Sequence, residues 1–404
     1  MLKLAWRNIW RNKGRSFISI AAVMFSVIFA LVLRSFQVGV WDHMIHEIVG
    51  ENFGYIQIHK KGFWKDQSMD NSLDLSRVHT DSIQAAHPSI LGLIPRVQSF
   101  SLVSTGEVTK GTMVMGIDPS KELGGLQLDQ YMLSGTPFAV GDQSVVVAEK
   151  LAEYLGVETG DTLLFIGQGY HAASAYGRYV VSGIARIRNP ELNKQLVLMP
   201  LPEAQWMYNC TNMATTVVVQ LEEGADYAQV AQSLAQLDTN AMEVMDWEAL
   251  FPELVQTIEA DKAGGLIFVT ILYIIIFFVL LGTVIMMVAE RQREFGILVA
   301  IGMRKERLAW ITVLENLMLT LGGALLGMAL VKPIQYYFKY NPIDLTGQMR
   351  EAVEQYNFEP MLYTTTSWML NLNHAFYVFL IGIAVSVYAV VKIMSIEPIT
   401  AMRS

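Results

Sequence analysis

Asp42, His43, His46 and Glu47 have the i, i+3, i+4 spacing that gathers carboxylates and imidazoles on one helix face. Such a face holds a metal ion or simply meets water, and because no further ligand cluster follows along the chain, no metal site is expected. Gly167-Gln168-Gly169 lacks the third glycine and the strand-to-helix setting of a dinucleotide fingerprint, so it reads as a hairpin turn. The sequence contains no phosphate-cradling GxxxxGKS/T loop, no GxSxG and no HExxH. Cys210 is its only cysteine, which excludes an intrachain disulfide, a cysteine-rich zinc site and a CxxC redox pair. Neither a catalytic residue nor a cofactor held by this chain is expected, so any energised work must draw on a partner.

Residues 290 to 302 suggest a different task. Phe295, Ile297, Leu298 and Ile301 offer an apolar face, Arg291, Arg293 and Glu294 offer charge pairing, and Gly302 can end a short helix. Further on, Glu315 falls one turn inside an apolar run. A carboxylate there is costly in lipid unless it is paired, protonated or wet, so Glu315 either meets Arg304 or Arg307 near the interface or serves a function. Gly323 and Gly327 form a GxxxG, and Gly382 with Ser386 a second small-residue pair. Both favour close helix packing, within the chain or between protomers.

The elements that must carry these residues follow from composition. The 404 residues are 52% hydrophobic and 16% charged, with mean hydropathy +0.35, which excludes disorder and argues against an ordinary soluble enzyme. The apolar content is concentrated. It predicts a cytoplasmic amphipathic helix over 1–15, transmembrane helices over 16–40, 264–289, 308–331 and 375–391, and an outer domain over 41–263. A cytoplasmic loop at 290–307, an extracytoplasmic loop at 332–374 and a cytoplasmic tail at 392–404 complete the division. Arg34 marks the far interface of the first span, where it can snorkel. A cleaved secretory signal is the alternative for the first run, but no A-x-A-like site follows and the run approaches spanning length. Residues 1–15 carry net +5, 290–307 net +2 and 41–263 net −15. The positive-inside rule then places both termini and the 290–307 loop in the cytoplasm of a multi-pass membrane protein, with the acidic domain outside and no nucleic-acid partner.

Leu2, Ala5, Trp6, Ile9 and Trp10 read as the apolar stripe of an interfacial helix. Val38, Trp41, Ile45 and Ile48 continue the first span outward, and Trp247, Leu250, Phe251, Leu254, Val255 and Ile258 precede the second. These stripes predict stalk helices that pack on each other, or amphipathic helices at the base of the outer domain. Within that domain, 53–59, 111–117, 144–147, 162–165, 179–184, 195–199 and 215–221 read as strands, and 73–86, 149–155, 202–208 and 227–237 as helices. The pattern is an α+β or split βαβ arrangement.

The run from Glu290 to Gly302, followed by Arg304, Lys305, Arg307, Glu315 and the glycines through Gly327, resembles the permeases of the FtsX, MacB and LolC/LolE ABC-transporter superfamily. The opening Leu4 to Ser16 and the outer-domain runs Leu133 to Pro137, Val145 to Leu151 and Leu155 to Asp161 resemble the same group. Residues 54–62 and 116–119 are similar to its LolC/LolE branch. The resemblance implies a membrane α-helical fold with four spans in a one-plus-three arrangement and a MacB-type periplasmic α+β domain on stalk helices. It implies a permease dimer, built with a second copy or a paralogue and driven by a separate cytoplasmic ATPase that binds ATP and Mg. Glu290, Arg291, Arg293, Glu294, Phe295, Gly296, Ile297, Leu298, Ala300 and Gly302 would form the helix that couples to that ATPase. Release of lipoproteins from the membrane to a periplasmic carrier is the implied function, with Phe25, Phe29, Phe36, Phe277 and Phe278 as candidates for holding acyl chains. MacB-like export of peptides or amphiphiles, FtsX-like signalling to a cell-wall hydrolase, and an unpowered membrane receptor are the alternatives.

Overall fold

The computed structural model describes residues 2–11, 13–78, 80–122, 128–187, 189–222, 224–236, 242–355 and 360–397. Of the expected tail at 392–404, residues 398–404 lie outside them. The chain forms two compact units, one of Met1–Asp42, Thr257–Leu345 and Met361–Ser404, the other of His43–Gln256 and Thr346–Pro360.

In the first unit the four apolar runs lie on helices Lys13–Ile45, Pro252–Glu290, Lys305–Tyr340 and Trp368–Met394, all long and apolar enough to cross a membrane. At about 1.5 Å per residue the first two reach roughly 50 and 58 Å, well beyond a hydrocarbon core of about 30 Å. Their extensions touch: Trp41 Nε1 donates to Asp261 Oδ2 at 2.5 Å, and Gln37 Nε2 to the Asp261 carbonyl at 2.9 Å. The second helix starts later than the apolar stripe from Trp247 suggests. Trp247–Leu250 is a separate short helix, and Phe251 is non-helical (φ −127°, ψ 62°) because a residue preceding a proline, here Pro252, is pushed out of the α region. The third and fourth helices take up both ends of the expected 332–374 loop, running on to Tyr340 and starting at Trp368. Hydropathy misses these turns because Lys332, Gln335, Asn371 and His374 are polar, yet all four are buried.

The second unit is built on a ten-stranded mixed sheet: β1 (Ile56–Lys60), β2 (Ile90–Ser104), β3 (Thr109–Ile117), β4 (Met132–Gly135), β5 (Ser144–Ala148), β6 (Thr162–Gln168), β7 (Ser174–Ala185), β8 (Leu196–Pro200), β9 (Thr216–Leu221) and β10 (Met242–Asp246). The order is β10-β1-β9-β2-β3-β8-β5-β7-β4, with β6 bridging β2 and β7. β3 with β8 and β5 with β7 are parallel and the other pairs antiparallel, so the domain is of the α+β kind. Two apolar clusters fill it, one around Val97, Val114, Val146, Leu163 and Leu198, the other around Ile56, Ile58, Val217 and Val230. The expected helix over 73–86 forms only as Thr80–Ala86. Asp74 and Ser76 divert the preceding residues into a two-residue strand and a 3-10 turn, where the Asp74 carboxylate accepts from the Ser76 amide at 3.0 Å. β2, interrupted in sequence by Gly92 and Pro95, and β10 were not among the expected strands.

The largest side chain in this unit with almost no exposure is charged. Arg96 on β2 donates from Nε and Nη2 to both Glu122 oxygens at 2.8 and 2.6 Å, and from Nη1 to the Asn52 carbonyl. This fork ties the sheet to the π-helical turn His46–Phe53 that ends the first long helix. Glu122→Ala, which strands the guanidinium, is expected to destabilise the unit by about 3–5 kcal/mol, read by thermal unfolding of the full chain. A more exposed fork joins Arg186 to Glu149 at 2.8 and 2.6 Å and holds the Glu149 carboxyl below its ordinary value of 4.5. Its contribution to stability is therefore in place above that pH and disappears as the pH falls through the lowered value. Glu149→Gln should flatten this part of the acid limb in a pH series of melting temperatures.

Candidate functional site

The loop between the second and third membrane helices is itself helical, Gln292–Ala300. It closes as the sequence suggests. Gly302 takes φ +104° and its N–H reaches the Val299 carbonyl, while the Met303 N–H reaches that of Leu298, both at 3.0 Å. This is a Schellman stop, and a side chain at Gly302 would be strained in that conformation.

The helix has two faces. Arg291, Phe295 and Gly296 are buried, whereas Arg293, Glu294, Ile297, Leu298 and Ala300 are exposed and Ile301 is 80% exposed. Glu290 ends the second span. Arg291 is thus not offered to a partner. It lies four residues from Phe295, on one helix face, with its guanidinium 5.4 Å from that ring, and it points into the protein.

There it meets Glu315. Arg291 Nη1 donates to the two Glu315 oxygens at 2.8 and 3.1 Å, and both side chains are over nine-tenths buried. The carboxylate does not pair with Arg304 or Arg307, the near-interface cations that its position in sequence suggests. Those residues flank the N-terminal turn of Glu315's own helix, whereas Arg291 approaches from the preceding one. The network continues outward, since Arg291 Nε reaches Glu294 at 3.4 Å and Glu294 accepts from Arg11 Nη2 at 2.9 Å. Asn8 Nδ2 also approaches Glu315, at 3.5 Å. Arg11 and Asn8 belong to the N-terminal helix Leu2–Arg11, which packs on the third span through Ala5 and Ile9. Only part of its apolar stripe is therefore left for a membrane. Sequence reading missed this link because nothing local announces a contact over some 300 residues of chain.

The third span is locked to its neighbours. A Cβ on Gly323 would lie 2.7 Å from Val23 Cβ and 2.9 Å from the Ile20 carbonyl, and one on Gly327 would lie 3.0 Å from the Met24 carbonyl. The GxxxG is thus a contact within the chain, against the first span. Asn316 Nδ2 donates to the Gly382 carbonyl at 3.0 Å and to Ser386 Oγ at 2.8 Å, and Gln335 and Asn371 exchange amide hydrogen bonds at 3.1 and 3.2 Å. The phenylalanines are dispersed. Phe25, Phe29 and Phe278 are 65, 57 and 62% exposed, Phe277 is half-buried 5.5 Å from the Phe278 ring, and Phe36 packs on Phe338 at 5.4 Å. Asp42 and His43 lie in the last turn of the first long helix, and His46 opens the π-helical turn, its Nδ1 3.3 Å from the Tyr55 hydroxyl. The Glu47 side chain lies outside the described residues.

Glu315→Ala should leave the buried Arg291 charge with only the half-exposed Glu294 beside it, at a cost of about 3 kcal/mol, with Arg291→Met in the same chain recovering most of it. Thermal stability in detergent reads both. Gly323→Ala should be more harmful than Gly327→Ala by the same measurement, since its contacts are tighter.

Residues 16–237 match the MacB-like periplasmic core domain, and residues 266–398 match the FtsX-like permease C-terminal family. The lipoprotein-releasing system transmembrane protein LolC of Xylella fastidiosa (strain Temecula1) is 21% identical over 257 residues, 62% of this chain and 62% of that protein. LolC of Neisseria meningitidis serogroup B is 22% identical over 247 residues, 59% of this chain and 60% of that one. The chain thus spans about three-fifths of the length of the curated relatives it matches. Among solved structures, the periplasmic region of MacB from Actinobacillus actinomycetemcomitans aligns with TM-score 0.35 at 14% identity, covering 52% of this chain and 94% of that one. The extracellular domain of the noncanonic ABC-type transporter YknZ from Gram-positive bacteria aligns with TM-score 0.32 at 14% identity, over 47% and 99%.

Proposed function

The chain belongs to the FtsX-like permease family with a MacB-like periplasmic core domain, and from that premise we propose that it couples a separate cytoplasmic ABC ATPase to the release of lipoproteins from the inner membrane. The observation that carries the coupling is the exposed row of Ile297, Leu298 and Ile301 beside Arg293 and Glu294, on a short helix braced from within. Apolar side chains in a charged loop suit the cleft of a protein partner rather than open water. The net +2 charge of 290–307 and net +5 of 1–15 support a cytoplasmic position for this helix and the N-terminus, with the acidic domain on the periplasmic side.

ATP and Mg would be bound by the ATPase, and this chain's part is mechanical. A shift of the loop helix passes directly into the second span, which ends one residue before it. The same shift pulls on the third span through Arg291 and Glu315, and the close contacts of Gly323, Asn316 and Gln335 spread it to the first and fourth. ATP binding supplies the difference in energy between the two states, without which no such motion is driven. A second permease copy or paralogue would complete the transporter. The name of the LolC relatives, proteins of a lipoprotein-releasing system, supports a lipid-anchored cargo, with exposed Phe25, Phe29 and Phe278 available to acyl chains; a periplasmic carrier would receive it.

Ile301→Asp changes only an exposed side chain. It is expected to cut retention of the co-purifying ABC ATPase by about tenfold while leaving the melting temperature unchanged. Unaltered retention would overturn the docking role. ATP-free complexes should trap diacylglyceryl-modified proteins, detected by mass spectrometry. Their absence from complexes that still hold the ATPase would sink lipoprotein release and leave the permease reading intact.

A further inference from the structure

The N-terminal helix Leu2–Arg11 divides its residues among three directions. Ala5 and Ile9 are buried against the third span. Leu2, Trp6 and Trp10 recur every fourth residue and are 62, 54 and 54% exposed, with Trp6 and Trp10 in edge-to-face contact at 6.0 Å. Exposed tryptophans beside the entry of a span belong in the headgroup layer. Leu4, Arg7, Asn8 and Arg11 form the remaining face, and at 3.6 residues per turn its centre lies roughly 150° from that of the tryptophan face.

That remaining face walls a groove of about 350 Å³ whose other wall is the loop helix, through Glu294, Phe295 and Leu298. Leu308 and Ile311 give the groove an apolar floor, and Leu4 and Leu298 stand half-open at its rim, 45 and 36% exposed. The cations stand at the edge. Arg11 shares Glu294 with Arg291, while Arg7 has no carboxylate partner among the described residues.

We propose that this groove is a second part of the ATPase dock, in which the N-terminal helix and the loop helix together grip a segment of the ATPase carrying an apolar side chain flanked by carboxylates. The inference rests on the coupling role assigned to the loop helix and extends it to an element outside that loop. The wheel decides against a lipid occupant, because a groove opposite the tryptophan face opens away from the bilayer. Charge decides the partner's chemistry: an apolar floor rimmed by the Arg7 guanidinium, which has no carboxylate partner among the described residues, accepts an apolar side chain with a carboxylate beside it.

Cys210 makes the test direct. It is the only cysteine, it is buried, and burial pushes its thiol up to about 12, so it stays silent to maleimide. Leu4→Cys, Trp6→Cys and Ile301→Cys are labelled with a water-soluble maleimide in the full chain, in nanodiscs of phosphatidylethanolamine and phosphatidylglycerol, with and without the co-purifying ATPase. Positions 4 and 301 are expected to label readily alone and about tenfold more slowly with the ATPase, while position 6 is slow in both states. Arg7→Glu is expected to weaken ATPase binding about tenfold with no change in melting temperature. Protection of position 301 but not position 4 would overturn the groove and spare the coupling role. Protection of neither would overturn both. Protection of position 4 by the nanodisc alone would show a lipid site and overturn the proposal.

Discussion

A carboxylate and a guanidinium taken out of water into the membrane unit, Glu315 and Arg291, set the conditions for much of what surrounds them. Neither is tolerable there alone. An isolated buried charge costs several kcal/mol, so each residue is kept in place by the other, and the helices that carry them are held in one relative position. Because one partner sits at the head of the loop helix and the other in the third span, the pair converts a short surface helix into a fixed attachment. An apolar pair of similar volume would pack as well, but would not demand the same geometry. Arg291 brings one guanidinium nitrogen, Nη1, to both oxygens of Glu315 and turns Nε toward Glu294, so its position is set from two sides.

From this bond outward the interactions grade from rigid to exchangeable. The third span is held to its neighbours by contacts that leave little room: glycines against the first span, and amide hydrogen bonds to the fourth that apolar surroundings keep from water. The Arg11–Glu294 pair lies at the surface, each side chain about half exposed, where such pairs contribute about 1 kcal/mol or less. It can open without disturbing the buried pair beneath it. A helix fixed on its inner face and weakly tethered on its outer one suits a part that must be engaged by something else.

The outer domain repeats the device. Arg96 and Glu122 form a buried fork that also reaches the carbonyl of Asn52, where the first long helix ends in a π-helical turn. In both units a buried arginine–glutamate pair stands where a long helix meets another element. The outer sheet is otherwise held by apolar burial, which fixes how much is packed but leaves direction to a few polar contacts.

The spans, the amphipathic ends and the helix-stopping Gly302 were legible in the sequence because each rests on local chemistry: hydropathy over one helix length, periodicity over a few turns, one backbone angle only glycine takes easily. The same locality explains the errors. Lys332, Gln335 and Asn371 conceal the ends of the third and fourth helices, since their polarity is answered by residues in the neighbouring helix or the approach to it. β2 was hidden by Gly92 and Pro95, whose strand conformation is supported by pairing with β9. Glu315 announced that it needed a cation, but not which. By itself the sequence determined which segments are apolar enough to cross a membrane, which are amphipathic and that a charge lay within an apolar run, because those depend on residues close along the chain. Only the tertiary structure decided that Arg291 answers that charge and that Arg11 and Asn8 join it, because partners brought together by helix packing leave no trace in the spacing of either.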